Sequence, residues 1–200
     1  MDAHEQALSP LKSQSAAHLA ANGVGEASAS PCHARLKRAT RLEHDRVDQA
    51  ISRYDLAQPQ TYAAFLRLNA SALMTLRPHW RSVDEADFGG LIAALTVDLA
   101  ALGVDQPGDS HAASASIDGL GLAYVVRGSR LGSAILRQRV SAGFPTAYFD
   151  FRPALPWHAL RQQIDERGTS APDSEHALID GARATFFVYE RLAHREGSVA

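Results

Sequence analysis

The stretch DGLGLAYVVRGSRLGSAILRQRV, residues 118–140, decides how this chain is to be read. Its composition and spacing are those of a helix, yet Gly121, Gly128 and Gly132 interrupt it. A glycine inside a helix costs roughly 0.5–1 kcal/mol relative to alanine, so three of them need a compensating reason. At about 100° per residue the three glycines fall within roughly 20° of one line. They form a bare stripe, bordered by Tyr124, Val125 and Ser129. Such a stripe lets something flat approach the backbone closely: another helix, or a planar ligand.

The segments on either side are helical too. Leu36, Thr40, Val47 and Ile51 recur at helical steps and predict a first core helix over 33–53. Pro59 is suited to a helix start, and Thr61 to Trp80 reads as a second helix whose last turn Pro78 bends. After an acidic VDEAD turn, a third helix runs from Phe88 to Leu102 and closes on Gly103. DQPGDSHAAS is a loop, and the glycine-bearing helix then spans about 116–140. Gly143, Pro145, Pro153 and Pro156 make an irregular connection before a short helix at 157–166. Asp173 caps a last helix reaching about His194. With no convincing pair of strands, the expected fold class is all-α: a compact bundle of about six helices over 33–196, preceded by a flexible tail at 1–32.

Composition narrows the function. Twenty basic against 22 acidic residues leave a net charge of -2, which provides no field to attract nucleic acid. No apolar run approaches the roughly 20 residues that cross a bilayer, so no membrane partner is expected. A lone Cys32 cannot form an internal disulfide, and no basic and apolar leader opens the sequence; together these predict a cytoplasmic protein. Phosphate-loop, nucleophile-elbow and HExxH motifs are missing, and the Glu and His spacings do not make the Glu-x-x-His pairs of a di-iron bundle.

One histidine stands out. His44 follows Thr40 by four residues and precedes Val47 by three, which puts it on the predicted buried stripe of the first helix. A histidine there is either a hydrogen-bonded core residue or a ligand, and neutral imidazole is the usual axial ligand of haem iron. Lys37 lies seven residues earlier on nearly the same line. It is either part of a solvated face or a partner for an acidic group beside the iron.

Leu36, Lys37, Ala39, Thr40 and His44, read as LKxATxxxH, resemble the proximal helix of the heme oxygenases. GLAYVVRGSRLGSAIL, residues 121–136, resembles their distal helix in its bacterial form, including members associated with phytochromes. Weaker similarity continues through Trp157 to Ile164 and through Ala182, Thr185 and Phe186.

The resemblance implies a heme-oxygenase-like bundle with haem sandwiched between proximal and distal helices. It makes His44 the iron ligand and Asp48 the carboxylate that orients it. Lys37 and Arg161 become propionate partners, and Gly121, Tyr124 and Val125 line the haem. Gly128, Ser129 and Gly132 form the catalytic distal surface. The implied reaction opens haem b to biliverdin, carbon monoxide and ferrous iron. It consumes dioxygen and electrons from an external donor, a ferredoxin or a reductase, and a bacteriophytochrome is a prospective acceptor of the biliverdin. Three positions depart from the family pattern. Ser129 replaces the acidic residue of animal enzymes, Arg127 stands where many bacterial members carry Glu, and Ser133 replaces a second small residue. They leave open an alternative, a non-catalytic haem carrier on the same fold.

Overall fold

The computed structural model describes residues 30–108, 116–170 and 172–197, and among these it contains eight α-helices and no strand. They are α1 (Cys32–Ala39), α2 (Arg41–Ile51), α3 (Pro59–Leu76), α4 (Glu85–Ala101), α5 (Gly119–Arg137), α6 (Ala147–Asp150), α7 (Trp157–Ser170) and α8 (Pro172–Gly197). The expected tail lies outside the described residues up to residue 29, as does the end of the DQPGDSHAAS loop. Cys32 is not part of a tail: it opens α1 and is buried.

The predicted first helix is two. Thr40, with φ -108 and ψ 11, joins α1 to α2. Its hydroxyl donates to the Leu36 carbonyl at 2.9 Å, the local side-chain bond that competes with regular helix. The second helix ends at Leu76 and tightens into a 3-10 turn at Arg77–His79 that contains Pro78. The acidic turn is partly helical, because a 3-10 turn at Ser82–Asp84 leads directly into α4. Gly103, at φ +69, closes that helix in the left-handed conformation glycine adopts freely. Helix α6 lies within the connection expected to be irregular. Its start is held from a distance by buried Asp98 of α4, which accepts the Ala147 and Tyr148 N–H groups at 2.8 and 2.9 Å.

Helix α8 is the axis of the bundle and packs against α1, α2, α3, α5 and α7. Its buried residues Leu178, Ala182, Phe186, Val188, Tyr189 and Leu192 face one continuous core. Helix α5 crosses it through reciprocal glycines. A Cβ at Gly121 would collide with backbone atoms of Leu178 and Ala182, and one at Gly181 would lie 2.8 Å from Asp118. Asp118 also caps α5 by accepting the Leu120 and Gly121 N–H groups at 3.0 Å, so one residue sets both the start and the seat of the helix.

Candidate functional site

The glycine stripe divides into a packed half and an open half. At Gly121 close helix packing holds, against α8, and this residue faces no open surface. Beyond the crossing the backbone is accessible. A Cβ at Gly128 would touch only the Trp157 ring, at 3.6 Å, and one at Gly132 would meet nothing within 4 Å. Leu131 and Ile135 are exposed on this half of α5, an apolar surface without a partner among the described residues.

Tyr124 borders this surface, and its ring lies 5.8 Å from that of Trp157. Burial raises the Tyr124 pKa, and the neighbouring Thr40 side chain offsets part of the rise. Helices α2 and α5 both rest on α8. One turn beyond Thr40 stands His44, and one turn beyond Tyr124 stands Gly128.

His44 is not buried as expected: its side chain is 57% exposed. Leu36, Thr40 and Val47 stay buried on either side of the joint while the His44 ring stands at the edge of that stripe, where it makes an edge contact with Phe186 at 5.8 Å. Nδ1 lies 3.3 Å from an Asp48 carboxylate oxygen and 3.8 Å from one of Asp45. A proton held on Nδ1 leaves the Nε2 lone pair for an external partner. Among the described residues no group of three His, Cys, Asp or Glu side chains converges on a metal position.

The other expected residues separate. Lys37, on α1, and Arg161, one turn after Trp157 on α7, are exposed and make no ion pair with another described residue. Val125 is buried in the core and lines no surface. The Ser129 hydroxyl donates to the Val126 carbonyl of its own helix at 2.8 Å.

Arg127 is a structural residue and does not reach the proximal side. It donates to Asp84 at 2.6 Å and to Asp87 at 2.7 Å, with all three side chains almost completely buried. Burial pushes the Asp87 carboxyl up, but the Ala154 and Leu155 N–H groups and the Arg127 guanidinium outweigh it and hold the pKa below its usual value. Sequence reading missed this cluster, although the Asp84 and Asp87 spacing and an arginine in an apolar helix were its visible signals.

No family model and no curated protein matches this chain.

Proposed function

We propose that this protein binds haem b between α2 and α5 and cleaves it to biliverdin, carbon monoxide and ferrous iron, using dioxygen and electrons from an external donor. The observation that carries the reading is the exposed His44 imidazole, whose Nδ1 lies 3.3 Å from an Asp48 carboxylate oxygen, on a helix that shares its α8 support with the bare backbone of α5. The residues present fit a large planar group. Gly128 and Gly132 offer a helix surface without side chains, Phe186 supports the imidazole, and Lys37 and Arg161 are exposed cations that pair with no carboxylate among the described residues. Bound haem supplies the iron that activates dioxygen. His44 would ligate the iron, Asp48 would hold the imidazole tautomer, and Gly128 and Gly132 would let the group approach the α5 backbone. The external donor is a ferredoxin or reductase, and a bacteriophytochrome is the proposed acceptor of the product.

The test is optical. Hemin added to the purified protein gives a saturable one-to-one Soret band, which under ascorbate or a ferredoxin–reductase system in air decays into a broad red verdin band. His44→Ala loses the normal axial ligation, and an unchanged haem spectrum in that variant would falsify the assignment. One observation favours the haem carrier as the second reading: the Ser129 hydroxyl is turned into its own helix and does not offer its proton to a distal ligand. A Soret band that persists under reductant and air selects the carrier.

A further inference from the structure

A groove of about 310 Å³ lies between the 3-10 turn at Arg77–His79 and the first turns of α4, lined by Arg77, Trp80, Glu85, Gly89 and Ile92. None of these belongs to the haem site proposed above. The volume is at the small end of ligand pockets, which run from roughly 300 to 1,000 Å³.

Two features of its lining point to a ligand. Gly89 sits inside α4, where glycine is the costlier choice, yet a Cβ there would meet nothing within 4 Å. Packing therefore does not explain it, in contrast to its neighbour Gly90, whose Cβ would collide with the Phe151 ring. Its effect is to leave the groove open and the helix backbone approachable. The second feature is charge. Arg77 and Glu85 line the same groove but form no ion pair with each other or with another described residue. The Arg77 guanidinium instead lies over the Trp80 ring, 5.9 Å from its centroid. The indole N–H of Trp80 is buried without an acceptor among the described residues.

A simple anion drawn to Arg77 is opposed by Glu85, and a simple cation drawn to Glu85 is opposed by Arg77. A molecule that carries both charges satisfies both. We propose that this groove binds a small zwitterion, an α-amino acid with an apolar side chain. Its carboxylate pairs with the Arg77 guanidinium, whose planar fork matches a carboxylate. Its ammonium pairs with Glu85, and its side chain rests on Trp80 and Ile92. This proposal does not depend on the haem reading.

The experiment is a calorimetric titration of the full-length protein with L-phenylalanine, with 3-phenylpropionate and phenethylamine as probes that each lack one charge. The expected result is saturable binding of L-phenylalanine, at least about tenfold weaker for either control, since each leaves one lining charge unmatched. Gly89→Leu fills the groove from a position with open space and a better helix propensity, so it keeps the fold while losing the binding. Arg77→Gln loses it as well, and melting curves establish that both variants are folded. Failure of the wild type to bind L-phenylalanine, equal affinity for 3-phenylpropionate, or undiminished binding by folded Gly89→Leu overturns the proposal.

Discussion

Replacing Arg127 by Met removes the one guanidinium that serves two buried carboxylates. Breaking a buried ion pair from one side typically costs about 3–5 kcal/mol, because the remaining charge is left uncompensated. Here the lower end applies. Asp84 keeps Arg81, which donates to it at 2.5 Å, and Asp87 keeps the Ala154 and Leu155 N–H groups at 2.8 and 3.2 Å. Methionine also retains much of the contact that the Arg127 guanidinium makes with the Phe88 ring, 5.5 Å away. The expected loss is therefore about 3 kcal/mol at neutral pH, or a melting temperature lower by roughly 6–12 °C for a chain of this size.

The pH dependence distinguishes this cause from lost packing. In the wild type the Asp87 pKa is depressed in the folded state, so its stabilising contribution is present above the unfolded pKa and fades as the pH falls. In the variant the lowering by Arg127 is gone, so the Asp87 pKa rises relative to the wild type and the protonated form is better tolerated. The stability gap between the two proteins should therefore narrow from neutral pH toward about pH 4. Urea unfolding followed by circular dichroism at both pH values measures it. A loss below about 1 kcal/mol, or a gap independent of pH, refutes the assignment of Arg127 to a charge-compensating role.

The remaining predictions concern residues that the sequence alone does not tell apart. Gly121→Ala should lower the melting temperature markedly, since its Cβ collides with α8 backbone, whereas Gly132→Ala should leave the haem-free protein unchanged or about 0.5–1 kcal/mol more stable. Thermal melts of both variants test the contrast. Arg130 has its Nε and Nη1 groups buried without acceptors, although Nη2 donates to the Tyr148 carbonyl at 2.8 Å and the guanidinium lies over the Tyr148 ring. Arg130→Met should consequently cost far less than Arg127→Met in the same urea titration, and an equal cost would contradict the accounting of unmet donors. Cys32 is buried, and burial foremost raises its thiol pKa, with Glu175 adding to the rise. A disulfide reagent should label it slowly in the native protein and rapidly in urea, and prompt native labelling would refute the burial.

Much of the helical layout was legible because it is a local property. The start of α3 at Pro59, the C-terminal glycine of α4 and the extent of α8 follow from capping residues and periodicity. Helix α6 was not legible, because Asp98, 49 residues away in sequence from Ala147, holds its first turn. The break at Thr40 was missed for a related reason: Leu36, Thr40 and Val47 keep helical spacing across it, and all three are buried on either side of the joint.

The sequence by itself determined the all-helical class, the order and approximate bounds of most helices, and the angular positions of the three glycines around their own helix. Periodicity describes a residue's direction around its own helix axis and nothing about what stands opposite. Only the tertiary structure decided that Gly121 packs on α8 while Gly132, at nearly the same angle, faces open space. It likewise decided that His44 is exposed beside Asp48, and that Arg127 is spent on Asp84 and Asp87. Those outcomes depend on how helices distant in sequence cross, and a crossing is a property of two surfaces, not of either one.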